Sequence, residues 1–110
     1  MSQKLSDMIR GWFVGDFEPT VYKTSNCEVG YKKYKKGDRE DLHYHLIATE
    51  ITVVIKGAVL MRGKRYGSGK IIVIEPKEST DFIALSDADT IVVKVPGVLG
   101  DKYLGDYIEC

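Results

Sequence analysis

Hydrophobic and polar residues alternate with period two along most of this chain. From Thr49 to Ile55, the residues Thr49, Ile51, Val53 and Ile55 fall on one side and Glu50, Thr52 and Val54 on the other. Period two sends alternate side chains to opposite faces of an extended strand, and β-branched residues suit its pleated surface. Ile71 to Ile74 and Thr90 to Val95 are β-branched runs bounded by Gly, Pro or Asp, and they read as buried strands. Cys27 to Lys35 and Leu42 to His45 are further strands. Ala58 to Arg62 and Lys64 to Tyr66 flank Gly63 as a tight hairpin. Thr80 to Leu85 is separated from Thr90 by the turn-forming Ser86-Asp87-Ala88-Asp89. Only Ser6 to Phe13 offers a helical turn, capped by Ser6 or Asp7. Gly97 to Cys110, with Gly100 and Gly105, is expected to wrap over the surface. Turn signals about every 8 to 12 residues predict an all-β sandwich or barrel, and periodicity alone does not choose between them.

The length of 110 residues suits one domain spanning 1–110. A hydrophobic content of 44% belongs to a folded chain, not a disordered one. So small a domain buries a modest share of its surface, and a second subunit or a metal would add stability. Sixteen basic and sixteen acidic residues cancel, which argues against a nucleic-acid partner. Lys32, Lys33, Lys35 and Lys36 run straight into Asp38, Glu40 and Asp41, and read as a solvated strand face and turn. The apolar run Ile71 to Ile74 is far too short to span a membrane, and Met1 to Arg10 contains no apolar run of signal-peptide length. Cys27 and Cys110 read as free thiols. A soluble cytoplasmic protein is expected. Trp12, Phe13, Phe17 and Tyr22 cap one end of the barrel, pack against a second subunit, or line a ligand mouth. Residues 1–26 are therefore candidates for a contact in a homodimer.

The chemistry concentrates in one place. His43 and His45 are the only histidines, and on a strand their i, i+2 spacing aims both imidazoles at one face. Glu50 joins them if the chain turns at Leu46 to Thr49 and the next strand pairs alongside. Two imidazoles and a carboxylate hold one divalent ion and leave positions open for water or substrate. The competing reading is an ordinary hydrogen-bonded histidine pair. Neither a Ser-His-Asp or Cys-His arrangement nor a phosphate-binding loop is present, and no catalytic side chain is assigned.

The run Gly37-(five residues)-His43-Tyr44-His45-(four residues)-Glu50-(six residues)-Gly57 resembles the first conserved motif of the cupin superfamily, the small RmlC-like barrels. Gly37 and Gly57 sit at strand ends, where a turn requires positive φ. The second cupin motif is matched by Gly69, Ile71 to Ile74 and Pro76, but Lys77 replaces its turn glycine and Thr80 stands where its histidine belongs. Asp81 follows on the opposite parity. The resemblance covers Val29 to Val95. It implies a small double-stranded β-helix, or jelly-roll, barrel with one divalent metal ion (Fe, Mn, Ni or Zn) on His43, His45 and Glu50. A small polar molecule, a sugar or a hydroxy or keto acid, would be acted on or sensed inside the barrel. The alternative is a metal-free small-molecule-binding cupin without catalysis. An enzyme of this kind would be a metal-dependent oxygenase or an isomerase or epimerase. Thr80, Asp81, Tyr31 and Met61 are candidates for positions near the site.

Overall fold

The computed structural model of the protein describes residues 2–109. Ten strands follow in order: β1 (Trp12–Val14), β2 (Glu28–Tyr34), β3 (Arg39–Tyr44), β4 (Thr49–Lys56), β5 (Ala58–Met61), β6 (Lys64–Gly67), β7 (Ile71–Ile74), β8 (Thr80–Ala84), β9 (Ala88–Val95) and β10 (Tyr103–Leu104). They form two antiparallel five-stranded sheets, ordered β1-β2-β9-β4-β7 and β10-β3-β8-β5-β6. Each sheet interleaves strands from distant parts of the chain, which is the double-stranded β-helix. The fold class and the strands expected from the alternation are present.

The helical turn expected over Ser6 to Phe13 is replaced. Leu5–Asp7 form one 3₁₀ turn, and Trp12–Val14 extend as β1 beside β2. Arg10 and Gly11 reverse the chain with φ of 50° and 81°. The local helix signal was weak, and the ladder offered by β2 outweighs it.

Alternation along the strands sorts the two faces. Glu50, Thr52 and Val54 of β4 turn inward and are buried. Val54, Val59, Met61, Ile72, Ile74, Phe82, Ala84 and Ala88 fill one end of the barrel. Each larger side chain buried there stabilises the fold by about 1.5–3 kcal/mol. Met61, 2% exposed, belongs to this packing and not to the cavity at the other end. Gly57 closes the β4–β5 turn at φ +81°, where a Cβ would come within 2.2 Å of the Asp87 carbonyl oxygen. Only glycine fits there, as the motif anticipated.

The outer face of the first sheet is apolar as well. The register aligns Val29, Val93, Ile51 and Val73 across four strands, with Tyr31, Ile91, Val53 and Ile71 as the next row. Leu5, Met8, Phe13 and Val21 gather near Tyr31 at one end of these rows. Ile71 and Val73 at the other end remain 64% and 49% exposed. Cys27 is half-buried, and Cys110 lies outside the described residues. Among the described residues no helix is long and apolar enough to cross a membrane.

Candidate metal centre

His43 is the penultimate residue of β3, His45 follows directly after the strand ends at Tyr44, and Glu50 enters from β4. One ligand atom from each lies within 4.8 Å of the others, and all three residues are buried. An ion with bonds of about 2.0–2.2 Å spans ligand atoms up to about 4.3 Å apart, so small side-chain rotations bring the set to bonding distance.

Both imidazoles are held by their Nδ1 atoms. His43 Nδ1 meets the Asp41 carbonyl oxygen at 2.9 Å, and His45 Nδ1 meets that of Asp101. A carbonyl oxygen only accepts, so each Nδ1 carries the proton and each Nε2 presents its lone pair. His45 Nε2 is buried without a hydrogen-bond partner, 3.5 Å from Glu50 Oε1. An orphaned buried nitrogen facing a carboxylate fits a cation between them.

The electrostatics agree with that geometry. The Glu50 carboxylate raises the His45 imidazole above its ordinary value, against the opposing effect of burial. Burial pushes Glu50 up, but the neighbouring His45, helped by Lys94 and His43, holds it below the ordinary carboxylate range. An ion bound here would displace the proton that His45 Nε2 takes up when the imidazole is charged.

Asp101 organises the turn that carries His45. Its carboxylate accepts the backbone N–H groups of Leu46, Ile47 and Ala48 at 3.0, 3.1 and 2.9 Å. Burial raises its pKa, yet these three donors outweigh that and keep the group ionised below its ordinary value. The same residue's carbonyl receives His45 Nδ1–H, so side chain and backbone of Asp101 together fix the ligand. From the other side, the Lys77 N–H donates to the His45 carbonyl at 2.7 Å. Lys77 sits at φ 70°, so it keeps the conformation of the glycine it replaces.

The nearby candidates separate. Thr80 pairs directly with His43 across β3 and β8, and is 1% exposed. Asp81 faces away and accepts the Arg62 N–H at 3.0 Å, so its expected place near the site is corrected. Tyr31 is corrected too. It points outward and donates to Asp89 at 2.7 Å, because the inward parity of β2 is Glu28, Gly30, Lys32 and Tyr34.

A cavity of about 320 Å³ opens beside the triad. His43, Glu50, Thr52, Tyr34 and Phe82 form part of its wall, and Arg10, Lys32, Lys94, Lys102, Glu40 and Trp12 stand around it. Lys32 was read as a solvated surface lysine, but its strand parity turns it inward. Of the four N-terminal aromatics, Trp12 takes the ligand-mouth position. Glu40 and His43 are three residues apart, yet both line the cavity. The β3–β8 register skips a residue between them, a bulge that resets the alternation.

The fold is that of the cupins, built around a buried two-histidine, one-carboxylate cluster. The sequence matches no family model and no curated protein. Solved structures do match. A Klebsiella pneumoniae protein described as having a double-stranded β-helix domain aligns over 78% of this chain and 75% of its own, with 19% identity and a TM-score of 0.70. KdgF from a Halomonas species aligns over 66% and 71%, with 24% identity and a TM-score of 0.61. The Streptomyces nucleoside dehydratase Pac13 aligns over 78% and 73%, with 11% identity and a TM-score of 0.67.

Proposed function

We propose that His43, His45 and Glu50 hold one divalent first-row metal ion, and that the barrel acts on or senses a small polar molecule bound beside it. The supporting observation is the orphaned His45 Nε2, buried against Glu50 with its tautomer set by Asp101. The donor set suits Fe, Mn, Ni or Zn. When bound, the ion would supply Lewis acidity at its open positions. The chain supplies the rest. His43 and His45 orient, Glu50 offsets charge, and the Tyr34 hydroxyl, raised by burial, stays protonated as a hydrogen-bonding group in the cavity wall. The structural similarity to a nucleoside dehydratase also seen with uridine is consistent with a small ligand in the barrel.

Calorimetric titration with Fe(II), Mn(II), Ni(II) and Zn(II) tests this reading. At least one is expected to bind stoichiometrically at micromolar concentration with proton release. Binding of none would leave the metal-free alternative. Thr80→His supplies an imidazole directly across from His43, and is expected to tighten metal binding about tenfold or more (the low end of what even an outer-shell contact can contribute). An unchanged affinity would place Thr80 outside ligand reach.

We also propose that a second copy of the chain covers the outer apolar rows of the first sheet. The exposed Ile71 and Val73 support this, and two such faces pack as aligned sheets. Sedimentation is expected to give a dimer at about 50 micromolar, a concentration at which a standard-size interface is filled, and Val73→Lys is expected to give a monomer. A monomeric wild type would overturn the assembly.

A further inference from the structure

The charges around the cavity narrow the ligand class. Four cationic side chains, Arg10, Lys32, Lys94 and Lys102, face two carboxylates, Glu40 and Glu50. Lys102 is paired with Glu40 at 3.3 Å, and Glu50 faces His45. Among the described residues, Arg10, Lys32 and Lys94 form no ion pair with a carboxylate. Glu28 and Glu50 flank Lys94 on the neighbouring strands without pairing with it, and Glu28 lines the adjacent cavity.

The two inward lysines are held in place. Lys32 Nζ lies 4.9 Å and Lys94 Nζ 5.2 Å from the centroid of Trp12. Trp12 lies on Gly30, where a Cβ would come within 2.8 Å of the indole. Lys32 Nζ also donates to the Arg10 carbonyl at 2.6 Å. Two ammonium groups gathered on one ring repel each other, and burial together with the neighbouring cations lowers the Lys32 pKa. An anion between them relieves both costs. Hydroxyl chemistry lies deeper. Thr90 Oγ1 is fully buried on the same wall with no hydrogen-bond partner, close to Thr52 and Tyr34.

We infer that the cavity takes a small hydroxylated anion. Its carboxylate or phosphate group is received by Lys32 and Lys94, and its hydroxyls reach toward Thr90 and the metal centre. The inference rests on the proposed function for the site and sharpens it, because a neutral sugar leaves the lysines unmatched. A volume of about 320 Å³ accommodates a molecule the size of a six-carbon sugar acid.

Trp12 is the only tryptophan in the chain and lines this cavity, so its emission responds to a ligand bound beside Lys32 and Lys94. The experiment titrates D-glucuronate, glucose 6-phosphate and D-glucose into Ni(II)-loaded and EDTA-treated wild type, and into Lys32→Met/Lys94→Met, with nickel content measured in each. At least one of the two anions is expected to bind ten times or more tighter than glucose. Which one binds better identifies the oxyanion. The double variant is expected to lose that preference while keeping its nickel. Glucose binding as well as the anions would overturn the inference. So would an unchanged preference in the double variant, or failure of both anions to bind at millimolar concentration. The comparison of glucose with the anions uses wild type and does not depend on the variant folding. If wild type takes no nickel, yet the EDTA-treated protein keeps the lysine-dependent preference, the metal reading falls and this one stands.

Discussion

His45→Ala is expected to abolish metal binding at micromolar metal, the largest functional effect of any single change in this protein. His45 supplies an Nε2 that faces Glu50 across 3.5 Å and has no other use. His43 and Glu50 then remain as a two-residue site open to solvent competition. The change has a structural cost as well. His45 is 1% exposed, so its removal leaves a void, and the Asp101 carbonyl loses its donor. A loss of about 1–3 kcal/mol follows from the unsatisfied buried acceptor. Denaturant unfolding without metal separates this from the binding effect. Glu50→Ala is expected to weaken binding less completely, since both oriented imidazoles remain. Retained stoichiometric binding in folded His45→Ala would show that the ion sits elsewhere.

Asp101→Ala is expected to cost about 2–5 kcal/mol of stability, the largest structural effect at a polar position. One carboxylate satisfies three consecutive backbone N–H groups, and the Ala48 residue among them is 1% exposed. Leaving several such donors unmatched costs about 1–3 kcal/mol for each that water cannot reach. The Asp101 carbonyl that receives His45 Nδ1–H survives the change, so metal affinity is expected to fall only through displacement of the turn that carries His45, by about tenfold, the low end for a disturbed outer-shell contact. Asp101→Asn keeps one acceptor but turns an amide N–H toward backbone donors, so it should fall between Ala and wild type. Urea unfolding and metal titration on both variants check the ordering. A wild-type midpoint for Asp101→Ala would mean the Leu46–Ala48 turn holds without the carboxylate.

The barrel was legible because nearly every strand carries its own period-two signal and its own turn residues. Thr49–Lys56 and Ile71–Ile74 are the plainest cases. The triad was legible because His43, His45 and Glu50 lie within eight residues, although β4 does not pair alongside β3 as expected: the two strands lie in opposite sheets and the triad meets across the barrel interior. The rest of the site depends on long-range contacts. Asp101 acts 53 to 56 residues away from its partners, in a stretch whose sequence carries no periodic signal. The inward turn of Lys32 was hidden by its place among surface lysines, although Gly30 and Tyr34 share its parity. Glu40 and His43 reach one cavity only through a bulge that a strict alternation forbids. Lys94 was readable in principle. It is a lone charge in a β-branched run, on the parity of Thr90 and Val92, and such a charge must face something polar.

The residues after Gly100 do two jobs at once. Tyr103–Leu104 pair with the edge of β3, and Tyr103 and Tyr107 pack on Tyr44. Asp101, two residues earlier, holds the His45 ring. Thermodynamic reciprocity then binds the two events: whatever free energy a docked tail lends to the ion, the ion returns to the tail. Occupancy of the proposed metal centre is thereby expected to register in the segment after Gly100, where protease resistance and slowed amide exchange would read it from outside.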